Sequence, residues 1–284
     1  MRVMTRPRRR GGRGHAAWLL ITLPVLTACA DRAAPPADDT SSELRLDDYQ
    51  MVDLTHSFNA ATLYWPTSPT RFELEQLAYG LTEAGFFYAA NTLSAPEHGG
   101  THLDAPIHFA AGRHTTDQIP LEKLIAAGVV IDVSDAASAD PDYRLTVDAV
   151  LEFEAVHGMI EAGSIVLLRT GWSDRWPDPL RYLGDDTPGD ASNLHFPSYG
   201  EDAARLLVDE RGVAALGADV ASIDYGQSTD FPVHRIVSEA NVPGFENVAS
   251  LERLPAVGAI VIALPMKIEG GSGGPARIVA LVPR

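Results

Sequence analysis

Cysteine is almost missing from this 284-residue chain, with Cys29 as its only example. No intrachain disulfide can form, and no thiolate can act as a nucleophile beyond that position. Apolar stretches long enough to span a bilayer are missing after residue 28. Positive charge is scarce: Lys and Arg total 22 against 38 Asp and Glu, for a formal charge of −16. A surface of that sign repels nucleic acid and anionic lipid, so neither is expected as a partner. The glycine-rich EGGSGGPAR at 269–277 lacks the Lys-Ser/Thr ending of a phosphate loop, and no βαβ unit follows it. It reads as a close-packed turn between two terminal strands that borders the active site, and neither a nucleotide cofactor nor a serine nucleophile elbow is expected.

What is present begins with an address. Residues 1–15 hold six arginines and no acid, and the apolar run AAWLLITLPVLTA at 16–28 leads into Cys29. That layout is a secretory signal, too short for an ordinary membrane span. Leu26-Thr27-Ala28-Cys29 matches a bacterial lipobox, so the expectation is cleavage before Cys29, a lipid on its thiol, and export to the cell envelope with the lipid as the only membrane attachment. A plain secretion signal with an incidental cysteine is the other reading. Removing 1–28 takes away six arginines and no acid, which moves the formal charge to −22. Residues 29–45 are small, acidic and proline-containing without apolar periodicity, as in a flexible tether. The remaining 46–284 suffices for one hydrophobic core.

Short strand-like runs occur at 128–134, 163–171, 212–224, 258–265 and 276–283, with helices expected at 118–127, 146–157, 199–211 and 233–240. This is an α/β pattern. Its last two strands follow one another with no helix between, which favours a mixed sheet over a purely parallel one.

The chemistry is concentrated in HGGTHLDAPIHF, from His98 to Phe109, which packs His98, His102, Asp104 and His108 into eleven residues. Gly99, Gly100 and Pro106 argue against one continuous helix, so a turn must bring these groups together. Imidazole with carboxylate is the donor set of a borderline divalent cation such as Zn²⁺ or Mn²⁺. A hydrogen-bonded network on a rigid turn is the bland alternative. Downstream, Asp219, Asp224, Asp230, His234, Glu239 and Glu246 lie in a region with few lysines to neutralise them. His234 and Glu246 are the pair assigned to the metal, with Glu246 equally readable as a solvated acid. Asp219 and Asp224 are expected to bind backbone amides. Trp172 and Trp176 are expected to pack structurally, and His56 to serve as a hydrogen-bonding strut.

These motifs resemble the bacterial cyclase-like hydrolases, a family that includes kynurenine formamidases and isatin hydrolases. The family pattern His-x-Gly-Thr-His-x-Asp-x-Pro-x-His-Phe is met at every position from His98 to Phe109. Similarity continues through GADVASID at 217–224, His234 with Glu246, ENVASLERLP at 246–255 and MKIEGGSGGPAR at 266–277. The resemblance implies an α/β fold, a swivelling β/β/α cyclase-like domain with a mixed sheet, assembled as a homodimer. It implies His98, His102 and Asp104 on one metal and Asp104, His234 and Glu246 on a second, in members that bind two Zn²⁺. Members of the isatin hydrolase type use a single metal, often Mn²⁺. It further implies His108 as general acid/base and Trp65 as a contact to a small aromatic amide substrate. The first functional expectation is an arylformamidase that converts N-formylkynurenine to kynurenine and formate. Lactam ring opening of the isatin type is the second, and a non-catalytic metal-dependent binding lipoprotein the third.

Overall fold

The runs AGVVID, IVLLR and ALGA are apolar at nearly every position, as strands covered on both faces must be, and they form the parallel centre of the sheet. The computed structural model describes residues 45–284; the signal segment, Cys29 and all but the last residue of the tether lie outside the described residues. Twelve strands occur in order: β1 (Tyr49–Asp53), β2 (Glu73–Leu81), β3 (Phe87–Ser94), β4 (His102–Asp104), β5 (Ile125–Asp132), β6 (Arg144–Leu145), β7 (Ile165–Arg169), β8 (Ser198–Tyr199), β9 (Ala215–Ala218), β10 (Gly244–Glu246), β11 (Val257–Pro265) and β12 (Gly273–Pro283). The helices are α1 (Ser134–Ala139), α2 (Val147–His157), α3 (Pro179–Leu183), α4 (Glu201–Arg205) and α5 (Pro232–Glu239). The main sheet runs β1-β12-β11-β5-β7-β9-β10-β4, and β4 also pairs with β12, which closes seven of its strands into a barrel. Strands β5, β7, β9 and β10 run parallel to one another, while the pairs β5–β11, β11–β12, β12–β4 and β4–β10 are antiparallel. The sheet is mixed, as the adjoining terminal strands imply.

Alternation along the strands divides the apolar residues between two cores. Leu103, Ile165, Leu167, Phe245, Val261 and Ile278 fill the barrel side. Val129, Ile131, Val166, Leu168 and Leu216 face the other way, against Val150 of α2, Ala203 and Ala204 of α4, and Val233 and Ile236 of α5. Both cores meet at β7 and β9, so the walls of the barrel are rigid where they carry β4 and β10.

The helix expected at 118–127 does not form. Two single 3-10 turns, Thr116–Gln118 and Leu121–Lys123, take its place, and β5 starts at Ile125. Pro120 has no N–H to donate and keeps Ile119 extended, while Ile125 to Val129 satisfy their backbone on β11. The strand expected over 212–224 is limited to Ala215–Ala218; by the end of that stretch the backbone N–H groups go to side chains, Ile223 to Glu246 Oε1 and Asp224 to Ser222 Oγ. Strands β2 and β3 form a separate hairpin that leaves Leu74, Leu77, Tyr79, Leu81, Phe87 and Leu93 each more than half exposed. Among the described residues no helix is long and apolar enough to cross a membrane.

Candidate active site

Strand β4 is three residues long and carries the centre of the motif. His102 and Asp104 are two apart and share one face, and Leu103 between them points into the barrel core, fully buried. On β10 the same alternation buries Phe245 and turns Glu246 back, and the register sets His102 directly opposite Glu246. Helix α5 supplies His234. The chain reaches β4 through Gly99 and Gly100, both at positive φ; a Cβ on Gly99 would collide with the ring of Tyr64, which lies against it.

The three imidazoles share one logic. His102 Nδ1 donates to the Gly100 carbonyl at 2.9 Å, which turns Nε2 toward the carboxylates, 3.2 Å from Asp104 Oδ1 and 3.5 Å from Glu246 Oε2. His234 Nδ1 donates to Asp224 Oδ2 at 2.7 Å, and its Nε2 lies 3.1 Å from both Asp104 Oδ2 and Glu246 Oε1. His98 has Nε2 2.9 Å from Ser272 Oγ and Nδ1 2.6 Å from Asp104 Oδ1. Each ring therefore turns one nitrogen outward and aims the other at carboxylate oxygens, an arrangement that places either a proton or a metal cation between nitrogen and carboxylate.

The electrostatics agree. Burial opposes the charged form of His102, yet Asp104 and Glu246 overcome it and hold the ring up at about 9. His234 is raised well above the ordinary histidine value against the same burial, by its bonds to Asp104, Asp224 and Glu246. Burial resists ionisation of Asp104 too, but the surrounding imidazoles keep it well below the usual carboxylate range. Burial and the Asp104 charge together push Glu246 up. Among the described residues no lysine or arginine lines the cavity, and His102 Nε2 is buried without a hydrogen-bond partner. An orphaned imidazole nitrogen between two carboxylates, with no fixed cation nearby, fits a divalent metal ion. Two groups could hold one, His102 with Asp104 and Glu246, and His98 with Asp104 and His108; in each the ligand atoms lie within 4.8 Å of one another. Asp104 belongs to both.

His108 follows in a 3-10 turn started by Pro106. Its ring stacks on His98 at 3.9 Å between centroids. Burial drives it down to about 4, partly offset by Asp104, so it is neutral at neutral pH. The cavity above these groups measures about 240 Å³ and is walled by Trp65, Tyr64, Phe109, Phe231 and Leu183. Trp65 stands edge-on to Phe196 and Phe231.

Other residues marked in the sequence fall outside this constellation. Asp219 accepts from the amides of Thr170 and Gly171 and from the Thr170 hydroxyl, at 2.6–2.9 Å, while burial pushes it up to about 6. Asp224 accepts the Val233 and His234 amides at the start of α5, besides orienting the His234 ring. Trp172 is buried, with its indole N–H donating to Tyr182 O; Trp176 stacks on His56, whose Nε2 lies 3.3 Å from Ser173 Oγ. Asp230 and Glu239 are absent from both metal-holding groups.

Several site residues were not legible in the sequence. Phe231 has φ +49, a rare backbone state for a bulky aromatic, and Asn247 φ +54, the left-handed region that asparagine tolerates better than most. Asn247 Nδ2 donates to Gly100 O at 2.8 Å, bracing the carbonyl that His102 uses. Ser272 is another. Residues 270–274 spell Gly-x-Ser-x-Gly, within the stretch expected above to be a packing turn with no nucleophile elbow.

The comparisons with known proteins agree with this geometry. The family model Cyclase, described as "Putative cyclase", matches residues 52–225. An isatin hydrolase of Roseibium aggregatum is 39% identical over 208 residues, covering 70% of this chain and 77% of that one. A kynurenine formamidase of Salinibacter ruber is 27% identical over 241 residues, covering 81% and 96%. The crystal structure of an isatin hydrolase bound to the product analogue thioisatinate superposes with a TM-score of 0.77 at 34% identity, over 84% of this chain and 94% of that one. With the motif complete, its ligands converged and the fold shared, this chain belongs to the cyclase-like family.

Proposed function

We propose that this protein is a divalent-metal-dependent hydrolase of non-peptide C–N bonds whose substrate is a compact aromatic lactam of the isatin type. The observation that carries the reading is the convergence of His98, His102, His234, Asp104 and Glu246 on the floor of an aromatic-walled cavity of about 240 Å³. The order of the two substrate expectations is thereby reversed. N-formylkynurenine carries an amino-acid tail whose carboxylate needs a cationic partner when desolvated, and among the described residues the lining holds no lysine or arginine. Isatin is flat, bicyclic and uncharged, which suits walls of Trp65, Phe109 and Phe231. The higher identity to an isatin hydrolase than to a kynurenine formamidase supports the same order.

His98, His102, Asp104, His234 and Glu246 would hold the ion, Mn²⁺ or Zn²⁺. When bound, it supplies Lewis acidity toward water and toward a carbonyl oxygen. The chain's own residues do the rest. The aromatic walls clamp the ring and exclude bulk water. Neutral His108, with no hydrogen bond to its ring among the described residues, takes the proton of the water that adds to the lactam carbonyl carbon. It then delivers that proton to the ring nitrogen as the C–N bond breaks, giving a free aryl amine and a carboxylic acid, which releases its own proton to solvent at neutral pH. The test is turnover of isatin and N-formylkynurenine by the metal-stripped protein after reconstitution with Mn²⁺ or Zn²⁺. Metal-restored isatin opening with poor formate release is expected; preferential formate release would return the protein to the formamidase reading.

The proposal includes a homodimer. A two-stranded hairpin is marginally stable alone in water, and β2–β3 presents large apolar side chains to solvent, so a second copy is the natural cover. Sedimentation of the wild type should give a dimer and of Leu77→Glu/Leu81→Glu a monomer; a monomeric wild type would rule this part out.

A further inference from the structure

The turn joining β11 to β12 holds the glycine-rich stretch, and its central serine sits in a row of hydrogen-bonding groups. Ser272 Oγ is 2.6 Å from Glu97 Oε2 and 2.9 Å from His98 Nε2, and the Ser272 amide donates to the same Glu97 oxygen at 3.1 Å. Across the ring, His98 Nδ1 faces Asp104 Oδ1 at 2.6 Å. Two proton arrangements can run along Glu97, Ser272, His98 and Asp104. In one, Ser272 donates to His98 and His98 donates to Asp104, the order of a Ser-His-Asp nucleophile. In the other, Ser272 donates to Glu97, His98 Nε2–H donates to Ser272, and Nδ1 presents its lone pair toward Asp104.

Glu97 decides between them. An ionised carboxylate only accepts, and a hydroxyl-to-carboxylate bond is charge-assisted and stronger than one to a neutral imidazole. In the first arrangement the Glu97 oxygen would face a serine lone pair at 2.6 Å with no proton between them. Two further observations oppose a nucleophile. Ser272 is not among the residues that line the cavity, and its turn joins two antiparallel strands instead of opening a helix. The turn also clasps the imidazole: a Cβ on Gly273 would lie 2.6 Å from His98 Cε1, so only glycine lets the backbone come this near. Thr116 Oγ1, 3.1 Å from the carbonyls of Gly271 and Gly273, anchors the turn from below.

We propose that Ser272 and Glu97 are a positioning pair for His98, holding Nε2–H outward so that Nδ1 faces Asp104, and that the glycine-rich turn is thereby part of the divalent-cation site. This rests on the metal-dependent reading above. It gives His98 the outer partner that Gly100 O gives His102 and Asp224 gives His234, and such partners are worth about 10–100-fold in metal affinity.

The experiment compares wild type, Ser272→Ala, Glu97→Gln and Glu97→Ala in three readouts: Mn²⁺ affinity by chelator competition, the His98 tautomer by long-range ¹H–¹⁵N correlation of the Zn²⁺-loaded protein, and isatin turnover at saturating Mn²⁺. Expected are an Nε2–H tautomer in the wild type, Mn²⁺ binding about 10–100-fold weaker in Ser272→Ala, and turnover largely recovered once metal is saturating. Glu97→Gln, which keeps an acceptor, should bind metal more tightly than Glu97→Ala. Ser272→Ala with unchanged Mn²⁺ affinity would overturn the proposal; if turnover were also lost at saturating metal, Ser272 would be a nucleophile. A wild type that binds no divalent ion would instead remove the metal-dependent reading itself. Metal-free melting temperatures identify a variant that has lost its fold, in which case the Glu97→Gln and Glu97→Ala comparison carries the test.

Discussion

Asp104→Ala is expected to leave the protein without a stoichiometric divalent ion and to lower kcat/KM for isatin by more than the roughly 10–100-fold that loss of an outer partner costs. Both oxygens of this carboxylate are engaged, Oδ1 with His98 and His102 and Oδ2 with His234. It is common to both groups able to hold a cation. Without it, Glu246 is the one carboxylate among the described residues still facing the inward nitrogens of His102 and His234, and His98 Nδ1 faces none. Metal content of the purified variant and steady-state kinetics on the same sample check this. One retained equivalent of metal with near-normal turnover would mean that Asp104 is a hydrogen-bonding strut. Metal uptake should also depend on pH in the wild type. Protons compete for the same nitrogens, and His102 is held at about 9 without metal, so apparent affinity should rise as pH rises toward that value.

His108→Ala is expected to keep its metal while kcat falls by about 10²- to 10⁴-fold, the range for loss of a positioned acid/base. The ring stacks on His98 but makes no hydrogen bond among the described residues, so its removal should leave His98, His102, Asp104, His234 and Glu246 in place. The sign of the pH effect follows from burial. A histidine whose charged form is disfavoured stays a base below its ordinary value of 6.5, here down to about 4. At saturating metal, the loss of kcat attributable to protonation of His108 should therefore fall well below pH 6.5, and that limb should vanish in the variant. Unchanged kcat in His108→Ala would remove the assigned role.

Legibility differed sharply between elements. The apolar strands β5, β7, β11 and β12 stood out because an uninterrupted or alternating run is a local property. Strands β4 and β10 did not: each has three residues, too few for a period, and each is a strand only because a barrel edge pairs with it. The helix expected at 118–127 lost to Pro120 and to the β11 ladder, a competition between a local pattern and a partner more than a hundred residues away.

The motif from His98 to Phe109 determined the ligand chemistry, because those residue types at that spacing have few other uses. His234 and Glu246 could be nominated from sequence as acids and imidazoles short of counter-charges. What only the tertiary structure decided was which nitrogen of each ring turns inward. That choice depends on the Gly100 carbonyl, Asp224 and the Ser272–Glu97 pair, the last of which comes from residues 175 positions apart. Folding also decided which side chains wall the cavity, and among the described residues these include no lysine or arginine. Sequence order lists the groups, but tautomer, register and wall composition arise from contacts between distant segments.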